Sequence, residues 1–412
     1  MYNFAHPHTG GGMVFMQNER QSVIRIGIIG FGSMGKTHAY AVESLPYYYA
    51  ANFRAEIAGV TTRSQGKSKA VCRDFGFDVA AVSEDDLIFD PTVDVIDICT
   101  PNICHRDTIL KAIKAGKHIL CEKPLAASCE EAREISEAIR AHERSGKVCG
   151  VVFNNRNHAA ILRAKELIAE GALGEILSFR ADYLHDSCLD PEKSAGWKQD
   201  ATVCGKGGVL FDLGSHVLDL VYYLCGKYKS VSAQSQIAFP TRRGMDGGVW
   251  QTDASEAFYL LAELENGAVG TVTASKLAMG TNDDLAVEVF GTRGSLRFSL
   301  MNPNYLYFYD GTQPSFPYGG TAGYTAIKCV GRYPAPGGIF PSPKAANGWL
   351  RGHIHGMYRY LDAVNRASAS PNASAEGLFS PSISDAAYIQ LVMEAAMQSA
   401  ESGTRVFVPE AL

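Results

Sequence analysis

The alternation of short apolar runs with helix-like segments over residues 23–147 constrains this chain more than any other feature. "IRIGIIG", "AEIAGVTT", "VDVIDICT" and "KHILCEK" are unbroken apolar or β-branched runs, as expected of strands covered on both faces. Helix signals lie between them: "THAYAVESL", "RDTILKAIKAG" ending in Gly116, and "SCEEAREISEAIRAHERSG", whose Ser128 and Glu131 have capping-box spacing and whose Gly146 supplies a stop. Strands alternating with helices predict an α/β fold with a parallel, doubly wound sheet over residues 23–146. The pattern changes after Gly146. "KVCGVVFNN" reads as the first strand of a second domain, residues 147–412, and "AAILRAKELIAEGALG" as its first helix. Strands then follow one another directly: "EAFYLLAELENGAVGTVTASKLA" turns at Asn266-Gly267 and "LAVEVFGTRGSLRFSL" at Thr292-Arg293, which predicts an antiparallel meander. Two late helices, near 349–366 and 383–402, precede a last strand, "TRVFVP"; the last helix and strand are expected to pack back near the domain junction. The Gly- and Pro-rich stretch 311–346 reads as a long ordered loop or arm, and residues 1–22 as a tail.

The stretch "VIRIGIIGFGSMGKTHA" ends a buried strand at Ile29 and opens a helix near Lys36. Three spaced glycines are common by themselves, and a bland turn is the competing reading. Placed between strand and helix, Gly30 permits the tight turn, Gly32 lets backbone approach a pyrophosphate, and Gly35 lets helix pack on strand. Phe31, Ser33 and Met34 share that turn, and the helix N-terminus favours negative charge. The stretch therefore predicts a dinucleotide site. Ribose specificity normally comes from an acid at the end of the second strand, but "GVTTRSQGKSKA" has none. Arg63, beside Thr62, either pairs with the 2′-phosphate of NADP or stacks on adenine and leaves NAD acceptable.

A net charge of -5 gives no basic footprint for nucleic acid or an anionic membrane. The longest apolar runs are of strand length, far short of the ~18 residues of a membrane helix. Ten cysteines include no CxxC pair, and Cys99, Cys121, Cys149 and Cys225 lie inside apolar segments, as in a reduced, cytoplasmic protein. "HIH" at His353 and His355 has no further ligand at metal spacing, so no catalytic metal is expected. The expected partner is a small molecule.

Three further stretches make the reading specific. "CTPNICH" (99–105) follows what reads as the fourth strand, "CEKPLA" (121–126) follows the fifth, and "GKGGVLFDLGSHVLDL" (205–220) opens a helix in the second half. In this order, with the glycine stretch, the chain resembles the Gfo/Idh/MocA family of sugar and cyclitol oxidoreductases over nearly everything after Val23. The resemblance implies a Rossmann domain followed by an α/β domain with a large, mostly antiparallel sheet, with the nicotinamide of NAD or NADP between them. It implies a reaction site of Lys123, Asp212 and His216, a cofactor-packing loop containing Thr100, Pro101, Asn102 and His105, and Glu122 as the acid beside it.

The residue chemistry agrees with that implication. A lysine beside a cationic ring loses basicity and can serve as a base near neutral pH, whereas alone Lys123 would read as a solvated surface residue. Asp212 and His216 are four apart, so on a helix they share a face and can converge on one hydroxyl; a first-turn carboxylate and a core histidine are the bland alternative. Tyr183, His185 and Trp197 end a strand in a polar loop and could reach a sugar ring, with Trp197 as a stacking face. Asn154 and Arg156 fall near the domain junction, Arg156 equally as an interdomain ion pair. The expected activity is NAD(P)-dependent oxidation of a sugar, glycoside or inositol secondary alcohol. Glycoside cleavage through transient oxidation at C3, or a non-catalytic dinucleotide sensor, are the alternatives. Phe258, Leu260, Leu261, Leu264, Val269, Val272, Val287, Val289 and Phe290 exceed what one buried sheet face needs, which predicts a homodimer or homotetramer through the meander.

Overall fold

The computed structural model describes residues 22–410 except 80, 82, 245–246, 331–341, 343, 347 and 371–372. The expected tail lies outside the described residues apart from Ser22, which begins the first strand. The first half runs β1 (Ser22–Ile29), α1 (Ser33–Tyr48), β2 (Phe53–Thr61), α2 (Gln65–Phe75), α3 (Glu84–Ile88), β3 (Val95–Ile98), α4 (His105–Lys114), β4 (His118–Glu122), α5 (Cys129–Arg144) and β5 (Cys149–Val152). Its five strands pair in the order β2-β1-β3-β4-β5, all parallel. Three of the apolar runs, β1, β3 and β4, stand in the middle of this sheet with "AEIAGVTT" at its β2 edge, and because helices cover both faces β3 and β4 are buried at every position. Ser128 caps α5 by accepting the Glu131 N–H, while the Glu131 carboxylate takes the Ala127 N–H.

Two expectations about this sheet need correction. "CGVV" is not the first strand of a second domain but the edge of the first sheet, where Cys149 to Val152 pair with Ile119 to Glu122 of β4. Four apolar residues carry no mark of which sheet they will join. Likewise "CTPNICH" follows the third strand and "CEKPLA" the fourth. The segment near Val79 runs beside β2, bonded through Val79 N–H to the Ala58 carbonyl, without forming a ladder.

The second half contains α6 (Ala159–Ala169), β6 (Ile176–Leu184), α7 (Ala201–Cys204), α8 (Ser215–Cys225), β7 (Tyr228–Gln236), β8 (Thr241–Arg243), β9 (Val249–Gln251), β10 (Ala257–Leu264), β11 (Val269–Ser275), β12 (Asp284–Gly291), β13 (Gly294–Ser299), β14 (Tyr305–Asp310), β15 (Tyr324–Lys328), α9 (Trp349–Ser368), α10 (Ile383–Ser402) and β16 (Val406–Phe407). Nine strands pair in the order β15-β14-β13-β12-β6-β11-β10-β7-β16. Only β6 and β11 run parallel; the others are antiparallel, and β8 and β9 form a separate ribbon. The stretch 311–346 is therefore not all loop, since Tyr324–Lys328 adds an edge strand; 331–341 lies outside the described residues.

The meander alternates more cleanly than its composition suggests. Phe258, Leu260, Leu264, Val272, Val287 and Val289 enter the core, while Leu261 and Val269 face outward. The late helices tie the halves together. Helix α10 packs on α5, α8 and β7, whereas α9 packs on α1 and on the β1–β2 side of the first sheet.

Candidate functional site

A cleft of about 1190 Å³ opens where the carboxyl ends of β1, β3 and β4 meet the ends of β6 and β11. Strand order in the first sheet reverses between β1 and β3, the place where open parallel sheets take ligands. Gly30 has φ +96°, and a Cβ there would lie 2.6 Å from the Cys99 carbonyl oxygen. A Cβ on Gly35 would lie 2.1 Å from the Gly30 oxygen, whereas one on Gly32 would meet nothing within 4 Å. The first and third glycines are thus demanded by the turn. The second faces open cleft, as a backbone that approaches a pyrophosphate must. The α1 cap is Gly32, with no side chain bonded to the helix's first N–H groups, so those donors remain for an anion. Phe31, Ser33 and Met34 line the same end, with Thr62, Arg63 and Lys67 at the end of β2 and Thr100, Pro101 and Asn102 after β3. These residues fit a dinucleotide. Asn102 also donates to the Cys204 carbonyl at 2.6 Å, clasping the two halves. His105 is a correction: it is fully buried beneath the loop, its ring nitrogens 2.9 and 3.0 Å from the Pro124 and Thr100 carbonyls. It holds the loop from behind and does not line the cleft.

Lys123 leaves β4 on the cleft wall, and its Nζ lies 2.6 Å from the Asp212 carbonyl oxygen and 3.3 Å from Asp212 Oδ1. Burial lowers its pKa, and Lys198 adds to that against the opposing charge of Asp212. Asp212 sits in a π-helical turn, Leu210–Gly214, that precedes α8, so it and His216 do not stand on one regular α-helix. Such turns recur at functional sites because they rotate one side chain out of helical register. The Asp212 carboxylate is held not by His216 but by lysines: Lys198 at 2.8 and 3.0 Å, Lys276 at 2.9 Å, and Lys123. Burial pushes this carboxyl up, but the three lysines, Lys276 foremost, outweigh it and hold it well below its usual range. His216 faces the Tyr183 and Phe153 rings. Burial, reinforced by Lys123, keeps it neutral, and its Nδ1 has no partner among the described residues.

Tyr183 and His185 both reach Asp283 Oδ1, at 2.7 and 2.8 Å. Asn154 lines the cleft with a buried Nδ2 that no described residue bonds, and Trp197 lines it partly exposed. Arg156 is a second correction. Its guanidinium is bidentate to Asp219 at 2.5 and 2.8 Å and reaches Asp385 at 3.3 Å. It is buried outside the cleft lining, in an ion pair whose three members all lie within residues 147–412 and not between the two expected domains.

The sequence reading missed Lys198, Lys276 and Asp283. Register explains why: Ser275 pairs with Leu184 in parallel and Leu184 with Asp284 in antiparallel. Positions 185, 276 and 283 therefore converge at one end of three strands, a juxtaposition without local signal. It also missed His38, whose ring lies 2.9 Å from Asp97 and 3.2 Å from Glu122. Burial opposes its charge, but Asp97 and Cys99 together outweigh burial and raise its pKa. A charged His38 in turn holds the Glu122 carboxyl down at about 2 against the upward push of burial. His38, Asp97 and Cys99 bring potential ligand atoms within 4.8 Å of one another, and hydrogen bonds among them account for the cluster. Of the "HIH" pair, His353 lines the cleft and His355 lies in the core beside Tyr49.

Residues 24–153 match a model described as an oxidoreductase family with an NAD-binding Rossmann fold, and residues 161–297 match the GFO/IDH/MocA C-terminal domain. Levoglucosan dehydrogenase of Pseudarthrobacter phenanthrenivorans is 30% identical over 401 residues, covering 94% of this chain and 98% of that protein. Glucose-6-phosphate 3-dehydrogenase of Bacillus subtilis is 29% identical over 70% of this chain and 77% of its own length. A solved structure of levoglucosan dehydrogenase with NADH and levoglucosan superposes with a TM-score of 0.85 at 30% identity, covering 94% of this chain and all of that one.

Proposed function

The chain belongs to the Gfo/Idh/MocA family of NAD-binding oxidoreductases, and from that premise we propose that it oxidises a secondary alcohol of a sugar, glycoside or cyclitol, with Lys123, His216 and Asp212 at the reacting carbon. Bound NAD supplies the hydride acceptor. The observation that carries the reading is the lysine's hydrogen bonding. A neutral amine has two N–H groups and one lone pair. The two acceptors on Asp212, at 2.6 and 3.3 Å, take the N–H groups, which leaves the lone pair for a substrate hydroxyl. Burial and Lys198 favour this neutral form. Lys123 Nζ thus receives the hydroxyl proton as the carbon gives up hydride.

The neutral His216 ring, which lines the cleft, hydrogen-bonds the same hydroxyl. Asp212 orients the amine, and Asn154, Tyr183, His185 and Trp197 face the sugar ring. The glycine turn, Thr62, Arg63, Thr100, Pro101, Asn102 and Glu122 hold the dinucleotide. The outward Tyr259, Leu261 and Val269 of β10 and β11 support assembly through the large sheet.

Lys123→Ala tests the assignment. It should leave the Kd for NADH within about threefold and cut kcat for the oxidised sugar by about 100-fold or more, the usual loss for a positioned acid or base. Unchanged kcat would remove Lys123 from the chemistry.

A further inference from the structure

Around Asp212, at the sugar end of the cleft, the ammonium groups of Lys198 and Lys276 meet a single carboxylate. Lys123, Lys198 and Lys276 share one carboxylate, Asp212. Asp283, bonded by Tyr183 and His185, and Glu122, against His38, form no ion pair with Lys198 or Lys276 among the described residues. Arg242 adds nothing free, because its guanidinium is closed onto buried Glu256 and the Cys188 and Asp190 carbonyls. Lys193 lines the same wall, exposed and without an ion pair among the described residues.

The geometry narrows where the missing anion would sit. Lys198 and Lys276 both touch Asp212 Oδ2, at 3.0 and 2.9 Å, so at most two hydrogen-bond lengths separate their nitrogens. Each ammonium has three N–H groups, and Asp212 is the one carboxylate partner of either among the described residues. Lys276 is buried, with 6% of its side chain exposed, so donors not used on Asp212 must be met within the cleft. Lys198 stands over Trp197, 5.7 Å from the ring centroid, at the edge where a sugar would lie. A hydroxyl could accept those hydrogen bonds, but it would leave the charge unanswered. Oxidised NAD brings one further positive charge into the same space, where charges interact more strongly than in water.

We propose that the substrate carries an anionic group of its own, a carboxylate or a phosphate on the sugar, received between Lys198 and Lys276. This rests on the dehydrogenase reading and narrows its substrate class. The test compares D-glucose, D-glucuronate and D-glucose 6-phosphate as substrates with NAD, and measures their binding to the NADH complex by calorimetry. At least one charged sugar should exceed glucose by tenfold or more in kcat/KM and in affinity. The advantage should shrink with added salt, as expected of partly exposed charge pairs, fall in Lys198→Gln and survive in Lys198→Arg. Which charged sugar leads separates carboxylate from phosphate.

Equal affinity for charged and neutral sugars, or a preference untouched by Lys198→Gln, would overturn the proposal. The two readings fail separately. Tight, salt-sensitive binding of a charged sugar without NADH formation keeps the anion site and removes the dehydrogenase reading. Turnover of glucose as good as that of the charged sugars does the reverse.

Discussion

Gly32 and Gly35 should respond to the same substitution in opposite ways. In Gly35→Ala the new Cβ would lie 2.1 Å from the Gly30 carbonyl oxygen and 3.1 Å from its carbon, both backbone atoms. No rotamer relieves that, so the turn must open by roughly 1 Å to reach ordinary contact. Overpacking of this kind costs about 1–3 kcal/mol of stability. The same shift pulls the α1 N–H groups away from the pyrophosphate, and losing one charge-assisted hydrogen bond, about 1.5–3 kcal/mol, weakens NADH by about 10- to 150-fold. In Gly32→Ala nothing lies within 4 Å, and the backbone, at φ −81° and ψ −151°, is extended and open to alanine. Stability should hold or rise slightly, since alanine restricts the unfolded chain. The methyl group nevertheless stands where the dinucleotide must approach, so NADH affinity should still fall by tenfold or more. Thermal unfolding without cofactor and NADH fluorescence titration separate the two effects. Wild-type NADH affinity in Gly32→Ala, or an unchanged unfolding midpoint in Gly35→Ala, would refute the division of roles.

Arg63→Ala should weaken NADP more than NAD, by about 1–3 kcal/mol, because an exposed guanidinium at the end of β2 meets no acid there and can pair with a 2′-phosphate. Equal losses in titrations of both cofactors would leave only stacking on adenine. Lys198→Gln removes a positive charge that lowers the Lys123 pKa; protonated Lys123 is then less disfavoured, its pKa rises, and the rising limb of kcat/KM against pH should move to higher pH. A limb that stays or moves down would disconnect the two lysines. Sedimentation at micromolar concentration should give a mass above the monomer, and a monomer would remove the sheet-face assembly.

What the sequence reveals of this protein depends on how far each signal reaches along the chain. The turn at Gly30 to Gly35, the Ser128 cap and the hairpins at Asn266-Gly267 and Thr292-Arg293 are set by residues within a few positions of one another, and each stands where its spacing predicts. Lys123, Asp212 and His216 were named through motifs and share one cleft. β5 joins the first sheet beside β4, and nothing within "CGVV" marks which sheet it will join. Lys276 and Asp283 were invisible for a related reason: they follow a strand and precede one, in a polar stretch that reads as ordinary loop. Only the junction of β6 with β11 and β12 gives them a ligand to face.

The π-turn at Asp212 changes what that residue can do. On a regular helix, Asp212 and His216 would present their side chains together, and the carboxylate would be the natural partner of a protonated imidazole. The extra residue in the turn sends the carboxylate to the lysines and leaves His216 among Tyr183 and Phe153. Burial and Lys123 disfavour an imidazolium there more than Glu122 and Asp212 favour it, so the ring's pKa lies well below its usual value. Asp212, meanwhile, gathers three lysines while carrying a single negative charge. Lys198 lowers the basicity of Lys123, and in the proposed reaction the lysines would also stabilise the negative charge that develops on the substrate oxygen as its proton leaves. In the proposed reading the same lysines thus tune the base and receive an anion. A single carboxylate displaced by one helical position connects the proton chemistry of the site to the charge of the molecule it receives.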